Sequence, residues 1–134
     1  MKDGVKVLDS WALMAYFKGE PAGQKVLELL KESASRQRNL LLSVVNWGEV
    51  LYSAERLWGL RGRDETAHRM RQMHLDVIPA DQEIAEQAAR YKAAGKISYA
   101  DCFAAALTKL RNATLVTGDK EFKAIEKEIK ILWL

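Results

Sequence analysis

"VLDSWALMAYFKGEP", residues 7–21, puts an aspartate where a short apolar run stops and a nearly all-apolar segment starts. Val5 to Leu8 reads as a short buried strand, and Ser10 to Lys18 as an apolar helix punctuated by Gly19 and Pro21. Asp9 stands on the junction between them. A carboxylate in that place either caps the helix or belongs to a site, and the company it keeps in the fold decides which.

The same unit recurs along the chain. Leu40 to Val44, Val77 with Ile78, Thr114 to Thr117 and Ile129 to Trp133 are further apolar strand candidates. Between them, Val26, Leu27, Leu30 and Ala34 recur at helical spacing within 22–36. Trp47, Val50, Leu51, Ala54 and Trp58 mark a second amphipathic helix ended by Gly59, and 63–74 a shorter polar one. Asp81 opens a helix to Gly95, Ser98 another to about Arg111, and 119–126 a short last one. Short β-branched runs alternating with helices predict an α/β sandwich with a mostly parallel sheet of about five strands. No repeat or linker divides residues 1–134, so a single domain is expected.

Composition narrows the function classes. The chain has 134 residues, 49% of them apolar and 29% charged, the balance of a folded globule. No apolar run approaches the roughly 20 residues of a membrane-spanning helix. The first residues carry no small-residue cleavage pattern, which predicts no secretion signal. Cys102 is the only cysteine, so no internal disulfide forms, and a reducing cytoplasm is the expected compartment. A net charge of +3 points weakly to a polyanionic partner. Arg56, Arg61, Arg63, Arg69 and Arg71 fall in one stretch that reads equally as a solvated helical face or a phosphate-tracking surface.

In folds of this class ligands bind beyond the carboxyl ends of the strands. Asp9 follows the first strand, Asn46 and Glu49 follow the second, and Asp119 follows the strand 114–117. These acids share one edge and converge only if their strands are neighbours. Asp101 sits in "ISYADCFAAALTKL", a helix with apolar side chains on almost every side. Such helices are largely buried. An isolated buried charge costs many kcal/mol, so a bound metal is a natural counter-ion. Each acid also has a bland reading. Asp9 and Asp119 suit N-caps, "NWGE" has capping-box spacing with Asn46 as cap, and "SYAD" places Ser98 three residues before Asp101.

Rival chemistries find less support. His68 and His74 are six residues apart, wrong for a helical zinc pair. Cys102 reads as a small buried hydrophobe, and the four tryptophans as core packing. No glycine-rich phosphate loop is present. A metal-dependent phosphatase or receiver-like domain also places acids at strand ends. A receiver, however, would want paired acids after the first strand, where only Asp9 stands, and a lysine after a late one, for which Lys120 is a poor match.

The set "VLDSWALMAYFKGEP", "SVVNWGEV", "SYADCFAAALTKL" and "LVTGDKEF" resembles, in order and over nearly the whole chain, a PIN domain of the VapC toxin type. The resemblance implies a five-stranded parallel sheet, Mg²⁺- or Mn²⁺-dependent endoribonuclease activity, homodimers and inhibition by a cognate antitoxin protein. Its acids match Asp9, Glu49, Asp101 and Asp119, with Ser10, Asn46 and Thr117 as supporting polar residues. On that basis Asp9, Asp101 and Asp119 are assigned to the metal, directly or through water. Glu49 either orients and deprotonates the attacking water or holds the metal through one. Arg56, Arg61 and Arg63 are the candidates for contact with RNA phosphates. A non-catalytic PIN-like module that binds RNA or protein is the alternative.

Overall fold

Eleven segments follow one another in the described residues, 4–134, of the computed structural model. They are β1 (Lys6–Leu8), α1 (Ser10–Phe17), α2 (Pro21–Arg36), β2 (Leu40–Ser43), α3 (Val44–Arg71) and β3 (Leu75–Ile78). Then come α4 (Gln82–Ala94), α5 (Tyr99–Leu110), β4 (Thr114–Thr117), a 3-10 helix (Lys120–Ile125) and β5 (Lys130–Trp133). The strands form one five-stranded sheet in the order β3-β2-β1-β4-β5, every pair parallel. The expected sandwich is therefore the observed one. The chain builds outward from β1 on one side as far as β3, then returns to build β4 and β5 on the other. The reversal lies between β1 and β4, the position where open parallel sheets bind ligands.

Strand alternation sorts the core into two layers. Val7 pairs in register with Leu41 and Leu115, and these three pack with Ala88, Phe103, Leu107 and Phe122 under α4, α5 and the 3-10 helix. Leu8 pairs with Leu42 and Val116, and this row packs with Leu13, Val26, Leu29 and Val50 under α1, α2 and α3. Both faces of the three central strands are thus covered, which is why those strands read as unbroken apolar runs.

The edges depart from expectation for that same reason. β3 begins at Leu75, two residues before the predicted start, because Asp76 on this edge strand is exposed and breaks the apolar signature. Trp58 and Trp133, expected in the core, are 43% and 38% exposed; one lies beside the α3 kink and the other on edge strand β5. The predicted helix end at Gly59 is a kink, and α3 runs on to Arg71. Gly59 has φ 77°, ψ 180°, a left-handed conformation open to glycine and strained for any residue with a Cβ.

Candidate active site

β2, β1 and β4 are adjacent, so Asp9, Glu49 and Asp119, which follow them, meet at one sheet edge. Asp9 leaves β1 and caps α1, its Oδ1 accepting from the Ala12 N–H at 2.8 Å. Its Oδ2 accepts from the Thr117 hydroxyl at the end of β4. Both oxygens are spoken for, and the side chain is completely buried. Burial raises the Asp9 carboxyl from 3.8 to about 7; the Thr117 and Ala12 hydrogen bonds pull the other way, and Asp119 and Glu49 add to the rise.

Asp101 sits in the first turn of α5, where Ser98 Oγ accepts its N–H at 3.3 Å. It is 6% exposed on a helix whose residues 101–108 are all buried. Burial, then the charges of Asp119 and Asp9, lift its carboxyl to about 9, and side-chain hydrogen bonds to Glu121 and Asp119 hold the proton there. Asp119 turns the chain from β4 into the 3-10 helix: its N–H donates to Thr117 Oγ1 and its Oδ1 accepts from Glu121 N, both at 2.9 Å. Carboxylate oxygens of Asp101, Asp119 and Glu121 all lie within 4.8 Å of one another.

Glu49 is approached from the other side. Its Oε1 accepts from Ser10 Oγ and from Asn46 Nδ2, each at 2.8 Å, leaving Oε2 outside this pair of hydrogen bonds. Asn46 also donates to the Ala100 carbonyl at 3.3 Å, tying the start of α3 to α5 beside Asp101. Its Oδ1 is buried without a hydrogen-bond partner. The N-cap of α3 is Ser43, whose Oγ accepts from Val45 N, so Asn46 is free of the capping role that its spacing suggested. Ser98 does cap α5, as read.

The structure thus gathers Asp9, Glu49, Asp101 and Asp119, with Ser10, Asn46 and Thr117 bonded among them. It adds Glu121, which the sequence reading missed. Glu121 is exposed, and "DKEF" looked like an ordinary helix start; the available signal was an acid two residues after Asp119 and just before the fully buried Phe122. The arginines are less free than their clustering suggested. Arg56 stacks over Tyr52 with 4.9 Å to the ring centroid, and Arg63 pairs with Glu55 at 2.9 Å. Arg69 covers Tyr16 and Phe17, and Arg71 covers Trp47. Arg61 is exposed on α3 just past the kink.

A parallel α/β sandwich with oxygen-only acidic ligands at its switch point defines a class of divalent-cation sites, since hard cations take carboxylate oxygens. Within that class the chain belongs to the PIN domain family, which it matches over residues 6–128. Solved structures share the fold. DNA-bound VapBC from Salmonella typhimurium superposes with a TM-score of 0.76 at 18% identity, covering 96% of each chain. VapBC2 from Rickettsia felis, bound to a promoter DNA fragment, gives 0.73 at 18%, covering 96% of this chain and 97% of that one. VapC20 from Mycobacterium tuberculosis, a toxin that cleaves the sarcin–ricin loop, gives 0.69 at 18%, covering 89% and 93%. No curated protein sequence matches the chain.

Proposed function

We propose that the chain is a divalent-metal-dependent endoribonuclease of the VapC toxin type. The observation that carries this reading is the meeting of Asp101, Asp119 and Glu121 oxygens within 4.8 Å, next to the completely buried Asp9. Carboxylates this close repel by several kcal/mol at an effective dielectric near 20, unless protons or a cation intervene. With no cation, Asp101 keeps a proton at neutral pH and Asp9 is about half protonated. The donor set suits Mg²⁺ or Mn²⁺: all oxygen, anionic and part-exposed on the Asp119 and Glu121 side, where waters can complete the octahedron.

Asp101, Asp119 and Glu121 would hold the ion, with Asp9 supporting them through Thr117. A bound divalent cation supplies charge neutralisation for a phosphodiester and lowers the pKa of water toward neutrality. Glu49 is held at Oε1 by two donors, which aims the carboxylate. We assign Glu49 as the group that orients the attacking water and takes its proton. Arg61, with Arg56 and Arg63, supplies phosphate contacts; the exposed Arg63–Glu55 pair is weak enough for RNA to displace.

The likeness of fold to a toxin–antitoxin complex from Klebsiella pneumoniae and to the VapBC structures supports a protein antitoxin as partner. Tyr52, Leu57, Trp58 and Leu60 stand 43–63% exposed around the Gly59 kink, an apolar surface suited to a partner segment. We place the protein, as a homodimer, in the cytoplasm beside its RNA. No helix among the described residues is long and apolar enough to cross a membrane.

Digestion of total RNA with Mg²⁺, with chelator, and with Asp101→Asn tests the nuclease reading. Cleavage confined to the wild type with metal is expected. Cleavage by Asp101→Asn at the wild-type rate refutes it. Co-purification with the product of a neighbouring gene tests the antitoxin, and light scattering the dimer.

A further inference from the structure

We propose that Trp11 is a positioning residue for the cation site, its indole lying on the backbone of Gly118 and holding Asp119 against Asp101. This inference rests on reading the acid cluster as that site.

Gly118 joins Thr117, which is bonded to Asp9, to Asp119, which contributes to the cluster. A Cβ built on Gly118 would lie 2.3 Å from Trp11 Cη2, 2.4 Å from Cζ3 and 2.8 Å from Cζ2. Ordinary contact needs 3.4–4 Å, so the ring's outer edge occupies the space where a side chain would stand. Glycine is needed here for room: the backbone of Gly118 lies outside the left-handed region, and other residues could adopt it.

Trp11 is half-buried in the first turn of α1, immediately before the fully buried Ala12 and Leu13, so its Cα is set by the core. Its indole is rigid, and relief requires a swing of the whole ring or a shift of the 117–119 segment. That segment is pinned elsewhere by hydrogen bonds. Thr117 Oγ1 donates to Asp9 and accepts from Asp119 N, Thr117 O accepts from Leu134 N, and Asp119 Oδ1 accepts from Glu121 N. None of these bonds is made by Gly118, and the three atoms nearest its Cβ position all belong to Trp11. Through this contact α1, which Asp9 caps, also fixes where Asp119 stands, so two acids from distant strands are referenced to one helix.

Groups that orient metal ligands from outside typically change metal affinity 10- to 100-fold when removed. Gly118→Ala is therefore expected to weaken Mn²⁺ binding, measured by calorimetry, roughly 10- to 100-fold. Trp11→Ala is expected to weaken it at the lower end of that range. Gly118→Ala placed on Trp11→Ala is expected to add nothing further, since the added methyl then meets no ring. A role limited to overall stability would lower the melting temperatures and leave Mn²⁺ affinity of the folded protein unchanged. The proposal is overturned if Gly118→Ala weakens Mn²⁺ equally with and without the indole, or if it binds like the wild type. Should Gly118→Ala fail to fold, Trp11→Ala decides alone: wild-type Mn²⁺ affinity refutes the inference. A wild-type protein that takes up no Mn²⁺ overturns the cation site itself, a failure separate from any variant.

Discussion

Asp9→Asn is expected to stabilise the metal-free protein at neutral pH while destroying its activity. The Asp9 carboxyl moves from 3.8 in the open chain to about 7 when folded, so folding takes up a proton between those values. The sign follows directly. For an acid whose folded pKa is raised, the folded state binds more protons and stability falls as pH climbs from about 4, levelling off above about 7. Proton linkage makes this penalty about 4 kcal/mol at pH 7 and about 0.5 kcal/mol at pH 4. The amide keeps an acceptor for Ala12 N but turns an NH₂ toward Thr117, and refitting that pair costs about 1–2 kcal/mol. The net expectation is about 2 kcal/mol gained at pH 7.5 and about 1 kcal/mol lost at pH 4. Urea unfolding in chelator at the two pH values measures the difference. Saturating Mn²⁺ should reverse the order at pH 7.5, because only the intact acid set binds the ion strongly and binding stabilises the folded state. An Asp9→Asn protein whose stability relative to wild type is the same at both pH values would refute the buried-acid reasoning.

Glu121→Gln should weaken Mn²⁺ binding by roughly tenfold or more while leaving the melting temperature nearly unchanged, because the residue is exposed and the amide keeps an acceptor for the Ser98 N–H; calorimetry and thermal melts on the same sample check both halves. Gly59→Ala should destabilise by about 1–2 kcal/mol in urea, since the added Cβ meets open space but φ 77° is strained for alanine. Phe122→Ala, which empties a completely buried site under the 3-10 helix, should lose about 3–5 kcal/mol. If Phe122 also anchors Asp119 and Glu121, as its place between the 3-10 helix and the core implies, the variant's Mn²⁺ affinity should fall with its stability.

How much was legible in the residues depended on burial. β1, β2 and β4 are covered on both faces, and their apolar runs announce them. β3 is an edge strand with an exposed Asp76, so its first two residues look like loop. Asp101 could be singled out because a charge on an otherwise apolar helix needs a partner, even though its spacing from Ser98 also suits a capping box. Glu121 could not, because an exposed glutamate beside lysines has many, and only the turn that brings it to Asp119 gives it meaning. The arginines of α3 left two readings open, a solvated face or a phosphate track. Arg69 lays its planar face on Tyr16 and Phe17 of α1, and Arg71 on Trp47 from the far end of the kinked α3, contacts that sequence order does not reveal.

The choice first posed by Asp9, cap or site, turns out to be no choice. Its Oδ1 caps α1 and its Oδ2 joins Thr117, so one carboxylate closes a helix and ties β1 to β4 at the same time. Capping alone would leave this side chain at the surface with an ordinary pKa, since an exposed aspartate caps as well as a buried one and avoids the desolvation penalty. Complete burial beside Asp101 and Asp119 opposes folding, and a soluble helix cap gains nothing from it. Asp9 and Asp101 are both held well above the ordinary carboxylate range by burial, and a divalent cation at the proposed site between the strand ends would relieve both together.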